Sequence, residues 1–316
     1  MNMELRHLRY FVAVAETGHM TRAAERLGIQ QPPLSQQIRA LEAGLGLPLF
    51  RRHPKGMALT DGGRVLLDDA RRVLADVASI EERMARLARG QRGLLRVGFT
   101  SSAAAHAFIP DAIRACRARF PDIELVLSED NAATLTEAVA ASRLHAAFLR
   151  VPVSHPEGVI LRTLLHEPVV VALPLDHALA RRTGHRPLVA LRDLDDEPLI
   201  LVRRPGAPGL YANLLDRCAR EGVRPRVVAE VPRMMTNLNL VAAGVGLSVV
   251  PASMQGAQAH AVRYLPLSPS ARLDAPLTLA YREQDCAGAL ATFVSLVLDT
   301  AGPSAAPGPA LRPGAA

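Results

Sequence analysis

The sequence predicts an α/β protein in three parts: an all-α head in residues 1–60, one long helix in 61–90 and a bilobed α/β body in 91–300. Apolar residues recur at helical spacing in the first sixty positions, and a regular alternation of four- and three-residue steps follows. Beyond residue 91, strand-like apolar runs alternate with helix-like runs. A chain of 316 residues, 49% of them hydrophobic, can bury more than one core.

The positive charge is concentrated at the N-terminal end. The chain has 37 basic and 30 acidic residues and a formal net charge of +7. Residues 1–60 hold 8 basic and 4 acidic side chains, so the head has more than half of the excess. Lys55 is the only lysine, and it lies outside any glycine-rich phosphate motif. A small basic head on a nearly neutral body favours binding to a polyanion.

Three short helices are predicted in the head. Gly18 ends the first, Thr21 can cap the second, and Gly28 ends the second. Pro32 and Pro33 suit the first turn of the third helix. The apolar faces consist of Leu5, Leu8, Phe11, Val12 and Ala15 in the first helix and Leu34, Ile38, Leu41 and Leu45 in the third. Two short helices joined by a tight turn form a helix-turn-helix.

The outward-facing positions of this motif are candidate nucleic-acid contacts. Gln can pair with adenine through two hydrogen bonds, and Ser and Arg can donate to phosphates or base edges. The candidates are Thr21, Arg22, Gln31, Pro32, Pro33, Ser35, Gln36, Gln37 and Arg39. A solvated polar helix face is the alternative interpretation.

A basic hairpin is predicted after the third helix. A loop with proline and glycine lies between apolar Phe50 and Leu59, which is typical of a wing beside a duplex. Arg51, Arg52 and Lys55 in this loop fit phosphate contacts. Such contacts supply affinity rather than sequence preference.

Residues 5–63 read LRHLRYFVAVAETGHMTRAAERLGIQQPPLSQQIRALEAGLGLPLFRRHPKGMALTDGG. This run of motifs resembles the N-terminal domain of the LysR-type transcriptional regulators. The resemblance implies a winged helix-turn-helix that binds double-stranded promoter DNA in the major groove, at two-fold-related half-sites. It also implies a homodimer or a homotetramer that bends DNA, with RNA polymerase as a candidate further partner.

One long helix is predicted between Asp61 and Arg89. Its apolar residues follow steps of 4, 3, 4, 3, 4 and 3, as in three heptads of a coiled-coil seam. They are Leu66, Ala70, Val73, Val77, Ile80, Met84 and Leu87. Packing on its own domain is the alternative, but a lone helix between two domains has little of its own chain to contact. Pairing with a second copy is favoured, and in the resembled family the linker helix makes the dimer.

The body is predicted to consist of two successive α/β halves. Strand-like runs occupy 94–99, 123–129, 145–151, 167–174, 198–204, 226–231, 244–251 and 276–283, and helix-like runs occupy 103–119, 134–143, 209–222, 234–243 and 287–299. This alternation predicts parallel βαβ units. The family resemblance continues through LRVGFTSS, VAAGVGLSVVP and the C-terminal helix. It implies a periplasmic-binding-protein-like effector domain, with one lobe in about 91–162 and 268–300 and another in about 163–267. The tail, 301–316, is predicted to be disordered.

A candidate effector site lies between the lobes, at the carboxyl ends of the strands. Free N–H groups at a strand-to-helix junction suit a carboxylate, and arginine can hold a carboxylate with two hydrogen bonds. The candidates are Thr100, Ser101, Ser102, Asn131, Arg150, Arg203 and Arg204. Similarity to the muconate-sensing branch of the family implies that Ser102 contacts the effector and that Arg150 lies near it. The alternatives are N-caps for the serines, an ion pair for Arg150, and solvated or interface charges for Arg203 and Arg204.

These features favour a DNA-binding regulator that responds to a small organic anion, a carboxylate by preference, with no catalytic residue, metal or cofactor. No G-x-S-x-G elbow, H-E-x-x-H motif or complete dinucleotide fingerprint occurs. Cys116, Cys218 and Cys286 form no metal-binding spacing and are interpreted as buried structural thiols. Residues 1–4 lack a signal-peptide pattern and no 18-residue apolar stretch occurs, so we expect a cytoplasmic protein without membrane contact. A solute-binding protein and an α/β enzyme built on the bilobed body are the alternatives.

Overall fold

The computed structural model describes residues 3–54, 56–150, 156–181, 187–202 and 209–302. Two compact units follow each other along the chain, and the division between them lies between Arg86 and Leu87. The first unit contains three short helices, a two-stranded hairpin and most of a long helix. Their bounds are α1 Leu5–Thr17, α2 Met20–Leu27, α3 Gln31–Leu45, β1 Phe50–His53, β2 Gly56–Leu59 and α4 Asp61–Ala88.

The helices of the first unit enclose one hydrophobic core. Phe11 of α1 and Leu34 of α3 are fully buried, and the centroids of the Phe11 and Phe50 rings lie 5.3 Å apart. Ala23 and Ala24 form the buried side of α2, where their small side chains allow the helices to approach closely. The apolar spacing read from the sequence therefore corresponds to the packed faces of the head.

The helix ends agree with the sequence except at the start of α2. Gly18 and Gly28 follow α1 and α2 in the left-handed conformation, which glycine adopts without strain. The predicted cap at Thr21 is wrong, because His19 occupies the N-cap position and Thr21 is the second residue of the helix. The extended backbone of His19 starts α2 without a side-chain cap.

The apolar seam of α4 has two sections. Ala70 is buried, and Leu66 packs against the core of the first unit, so the start of the seam is used within its own domain. Further along, the seam is open to solvent, with exposed fractions from 41% to 54%. These exposed residues are Val73, Ile80, Met84 and Leu87.

The second unit contains two groups of strands, called here the first and the second sheet, and each group has its own helices. The strands and helices of the first group are β3 Gly93–Phe99, α5 Ser101–Ala104, α6 Phe108–Arg119, β4 Ile123–Glu129, α7 Ala132–Ala140, β5 Ala146–Leu149, β6 Val159–Leu165, β12 Leu277–Arg282 and α10 Gly288–Ala301. Those of the second group are β7 Val169–Pro174, β8 Pro198–Val202, α8 Leu210–Arg220, β9 Arg226–Val231, α9 Met234–Ala242, β10 Ser248–Pro251 and β11 Val262–Pro266. Short 3₁₀ turns span Ala178–Arg181, Leu191–Leu194, Ala252–Met254 and Pro269–Ala271.

The first sheet has the strand order β4-β3-β5-β12-β6. Helices α6 and α10 cover one face, where the rings of Phe148 and Phe293 meet edge to face at 6.2 Å. Helix α7 covers the other face through Leu135 and Val139. Helices therefore pack on both faces of this sheet, as expected for an α/β layer.

The second sheet is built around β7, which pairs antiparallel with both β10 and β11. Strands β8 and β9 are parallel and connect to this group through a bridge between Leu199 and Leu247. Leu214 of α8 and Leu238 of α9 belong to separate core clusters of this sheet.

The expectation of parallel strands holds only in part. Strands β3, β4 and β5 are parallel, but β12 runs antiparallel to both β5 and β6. The reason is that the segment before β12 runs antiparallel beside the segment after β6, so β12 starts next to the end of β6 and runs back along it. Strands β6 and β11 were not predicted, and the predicted helix at 134–143 instead begins at Ala132, after the Asn131 cap.

Two chain connections join the sheets of the second unit. The chain leaves the first sheet after Leu165 and returns to it at Leu277. The two connections run side by side, since Pro168 and Asp274 form an antiparallel bridge and Ala275 N donates to the Glu167 backbone oxygen at 2.8 Å. We call these paired segments, residues 166–168 and 274–276, the crossover pair.

Two of the three cysteines are buried as predicted, and the third, Cys286, is half-buried. Burial raises the pKa of the Cys218 thiol to about 11, and it also raises the pKa of Cys116 and Cys286. The protonated thiol is a weak nucleophile. Helix α10 continues through Ala301, and residues 303–316 of the predicted tail lie outside the described residues.

Candidate functional site

The start of α3 presents a polar face to solvent. Gln30 is the N-cap, and prolines occupy the first turn, where an N–H would have no helical partner. Leu34 and Ile38 are buried on one side of the helix, whereas Gln36 and Arg39 on the other side are exposed. A polar ridge on a helix that is fixed by its opposite face can enter a groove without losing core contacts.

The other head residues singled out from the sequence lie around this ridge. Those in the first turns of α2 and α3 are exposed: Thr21, Arg22, Gln31, Pro32 and Pro33. Ser35 and Gln37 are half-buried. Oε1 of Gln37 lies 3.0 Å from Nε2 of His7 in α1, a contact that the sequence spacing did not predict.

The hairpin β1–β2 is the predicted wing. Arg51 and Arg52 are exposed on β1, where they pair in register with Ala58 and Met57 of β2. Lys55, the third predicted phosphate contact, lies outside the described residues. The exposed guanidinium groups suit phosphate oxygens.

The wing is fixed to the head by hydrogen bonds from its backbone N–H groups. Oε1 of Glu42 in α3 accepts from Leu49 N at 2.7 Å and from Phe50 N at 3.1 Å, which holds the start of β1. Met57 N donates to Gly18 O at 2.7 Å, so β2 is tied to the α1–α2 turn. These bonds set the direction in which the wing arginines project from α3.

In the second unit, the carboxyl ends of three parallel strands meet at one edge of the first sheet. Thr100 follows β3, Asn131 follows β4 and Arg150 follows β5. Parallel strands bring these residues to the same edge, which is where open α/β sheets bind ligands. Arg203 and Arg204, expected from the second sheet, lie outside the described residues.

Thr100 and Asn131 both act as helix caps. The Thr100 hydroxyl accepts from Ala103 N at 3.2 Å, and Asn131 Oδ1 accepts from Thr134 N at 3.0 Å. Ser101 is half-buried and Ser102 is buried in the first turn of α5. The first N–H groups of a helix have no partner within it, so this turn offers donors at the sheet edge.

Arg150 is buried, at 5% exposure, and its guanidinium is fully used by the protein. Nε and Nη2 donate to Ser102 O at 3.2 and 3.0 Å, Nη2 also donates to Ser253 Oγ at 2.9 Å, and Nη1 donates to Ala275 O at 3.0 Å. Nη1 forms an ion pair with Glu167, which is 6% exposed. Arg150 therefore joins the sheet edge to the crossover pair.

Burial and the neighbouring carboxylate have opposite effects on Arg150. Burial lowers the pKa of the Arg150 guanidinium, and the Glu167 carboxylate raises it, so the charged pair is held together by its mutual attraction. Burial also lowers the pKa of neighbouring His106. The sequence did not point to Glu167 or Ser253, because Glu167 lies on the connection that leaves the first sheet, Ser253 lies after β10 of the second sheet, and only the tertiary fold brings them to Arg150.

An exposed ion pair connects the two sheets at another place. Nη1 of Arg233, the N-cap of α9, lies 3.3 Å from Oε1 of Glu129 at the end of β4. Helix α9 also approaches α5 closely. Arg233 is thus a cationic group beside the predicted effector residues, and apart from its position after β9 no sequence pattern indicates it.

The described residues contain no group of three or more His, Cys, Asp or Glu side chains placed to hold a metal ion. Within the same ranges, no helix combines the length and the apolar character needed to cross a membrane.

A wing-bearing helix-turn-helix followed by a two-sheet α/β body defines a class of DNA-binding regulators that carry a ligand-binding domain. Comparison with family models supports this class: residues 5–64 match the bacterial regulatory helix-turn-helix proteins of the lysR family, and residues 88–302 match the LysR substrate binding domain. The chain belongs to the LysR family of transcriptional regulators.

Relatives and solved structures agree with this assignment. The chain is 39% identical to the uncharacterized HTH-type transcriptional regulator YnfL of Escherichia coli over 85% of its own length and 89% of that protein. It is 37% identical to the regulator BudR of Raoultella terrigena, over 93% of this chain and 100% of BudR. The crystal structure of CbnR, a LysR family regulator, matches 93% of this chain and 100% of CbnR with a TM-score of 0.80 at 30% identity, and CbnR in complex with its target DNA matches with a TM-score of 0.75.

The family assignment settles the broad function. The chain is a DNA-binding transcriptional regulator with an effector-binding domain. The alternatives of a solute-binding protein and of an α/β enzyme are not favoured, since these relatives are named as transcriptional regulators.

Proposed function

We propose that the exposed face of α3 reads base edges in the major groove and that the wing arginines hold the phosphate backbone. The observation that carries this proposal is the polar ridge of Gln36 and Arg39 opposite the buried face of α3. Gln36 can make two hydrogen bonds to adenine, whereas Arg51 and Arg52 carry no sequence information in phosphate contacts.

Electrophoretic shift of operator DNA, selected from a random pool by the wild-type protein, tests this division. We expect Gln36→Ala or Ser35→Ala to change the preferred bases. We expect Arg51→Ala or Arg52→Ala to weaken binding to all DNA sequences alike and to reduce the slope of log affinity against log salt concentration by about 1. Arg114→Ala, in an exposed ion pair of the body, is the matched control. Equal losses of preference from both kinds of head variant would contradict the assignment.

We propose further that the effector is a small carboxylate bound where α5 and α9 approach. The N–H groups at Ser101 and Ser102 are donors, and Arg233 supplies positive charge. Because exposed ion pairs contribute little free energy, a ligand carboxylate can replace Glu129 on Arg233. Arg150 is proposed to hold Ser102 in place and not to contact the ligand, since its donors already have protein partners.

A thermal-shift screen of small carboxylates on the full chain tests the effector site. A carboxylate that stabilises the wild type should stabilise Ser102→Ala and Arg233→Ala less, because the first removes the hydroxyl expected to contact the effector beside the unchanged N–H groups and the second removes the cation. Arg220→Ala, on the outside of α8, should respond like the wild type. Undiminished stabilisation of both cleft variants would exclude this location.

The regulator is proposed to act as a homodimer through α4 and as a homotetramer through its body, in the cytoplasm and without catalytic activity. The exposed seam of α4 supports the dimer. Two edge strands support the tetramer contact, because each exposes apolar side chains, with exposed fractions of 41–43%. These side chains are Val126 and Leu127 of β4 and Val227 and Val228 of β9. Exposed apolar edge strands are normally covered. RNA polymerase is the proposed partner of the DNA-bound form.

A further inference from the structure

His7 is a buried polar side chain with a contact at each ring nitrogen. It is 8% exposed. The Glu4 backbone N lies 3.1 Å from Nδ1, and Oε1 of Gln37 lies 3.0 Å from Nε2. Because a backbone N–H can only donate, Nδ1 is the acceptor, and in the neutral ring the proton then resides on Nε2. His7 therefore donates to Gln37.

This hydrogen bond fixes the orientation of an amide on the proposed recognition helix. Gln37 lies on α3 directly after exposed Gln36 and directly before buried Ile38, at the border of the polar ridge. Its oxygen is turned toward α1, so the NH₂ group occupies the other side of the amide. Among the described residues no acceptor is bonded to that NH₂ group.

We infer that His7 is a positioning residue that makes Gln37 a hydrogen-bond donor to DNA. This inference rests on the proposed function of α3 as the recognition helix. A held donor suits an acceptor such as a phosphate oxygen or the N7 and O6 atoms of guanine. Pairing with adenine through both amide atoms is disfavoured, because the Gln37 oxygen already accepts from His7.

Two amide substitutions separate the two contacts of the ring. His7→Asn places its oxygen near the position of Nδ1, so it keeps the bond from Glu4 but is too short to reach Gln37. His7→Gln places its nitrogen near the position of Nε2, so it keeps a donor to Gln37 and loses the bond from Glu4. A role limited to filling space would not distinguish these variants in DNA binding, and a role limited to starting α1 would weaken His7→Gln more than His7→Asn.

The experiment measures affinities of the full chain for the selected operator, for single-base variants of it and for unrelated DNA. We expect His7→Asn to lose about threefold to tenfold, the loss typical of one oriented hydrogen bond, while His7→Gln stays within about twofold of wild type. A loss confined to particular base variants indicates a base contact, and an equal loss on all DNA indicates a phosphate contact. Either pattern supports the positioning role.

Matched controls complete the design. Once Gln37→Met has removed the amide, adding His7→Asn should cause no further loss of affinity. Equal losses in His7→Asn and His7→Gln, or wild-type affinity in His7→Asn, would overturn the inference. A failure of the proposed function is distinct, since the wild type would then show no specific operator binding and Gln36→Ala would leave the base preference unchanged.

Discussion

At the scale of single residues, Arg150 shows how a predicted ligand contact can be a structural link. Its position at the end of β5 is readable from the sequence. Its partners are not, because Glu167 lies on the chain that leaves the first sheet and Ser253 lies in the second. If an Arg150 variant lost the effector response, the loss would follow from the broken structural link and would not show that Arg150 contacts the effector.

Replacing Arg150 should destabilise the body strongly. Arg150→Met leaves the Glu167 carboxylate buried without its cation, which costs roughly 3–5 kcal/mol. Arg220→Met, which breaks an exposed pair with Asp216, should cost roughly 0–1 kcal/mol. Urea unfolding measures both, and similar losses for the two variants would show that the buried pair is not a structural link. Adding Glu167→Gln to Arg150→Met should restore part of the stability.

At the scale of elements, Glu16 links three helices of the first unit. Its carboxylate bonds to Arg26 of α2 at 2.8 Å and to Arg71 of α4 at 3.1 Å. The hydrogen bond from Arg71, followed by that from Arg26, lowers the pKa of Glu16 below its usual 4.5. The charged form is thus favoured by folding.

The contribution of Glu16 should depend on pH in a defined direction. A lowered pKa gives stability that is present above about pH 4.5 and is lost as pH falls through the lower, folded-state value. We expect Glu16→Gln to cost up to about 1 kcal/mol at neutral pH, and the difference from wild type to shrink at acid pH. Chemical unfolding at pH 7 and below pH 4 measures it. A gap that widens in acid would contradict this sign.

The exposed section of α4 should hold the dimer. Ile80→Glu places a charge in the apolar seam, and we expect monomers by sedimentation at concentrations where the wild type is dimeric. Ala78→Glu adds the same charge to an exposed position beside the seam and should leave the dimer intact. Dissociation in both variants would point to general repulsion instead of loss of a seam.

At the scale of the whole molecule, the exposed edge strands predict a second assembly contact. Leu127→Arg in β4 should reduce a tetramer to a dimer in light scattering, because a buried guanidinium lacks a partner there. Leu175→Arg alters another exposed leucine outside the sheet edges and is the control. An intact Leu127→Arg tetramer would exclude β4 from the contact.

The sequence predicts local structure better than long-range arrangement. The buried faces of α1 and α3 follow from the helical spacing of their apolar residues, which include the fully buried Phe11 and Leu34. Among the described head candidates, those in the first turns of α2 and α3 are exposed, as the helix pattern indicates. The pairing of His7 with Gln37, of Arg150 with Glu167, and of β12 with β5 and β6 depends on the tertiary fold, which no periodicity encodes.

The place of β12 has a consequence for synthesis on the ribosome. Residues 277–282 form an inner strand of the first sheet, between β5 and β6, although they are made long after both. The head can fold as soon as its own segment emerges, but this sheet has to wait for almost the entire chain. Until then β5 and β6 each lack a neighbour, and a chain truncated before Leu277 would expose both edges to aggregation.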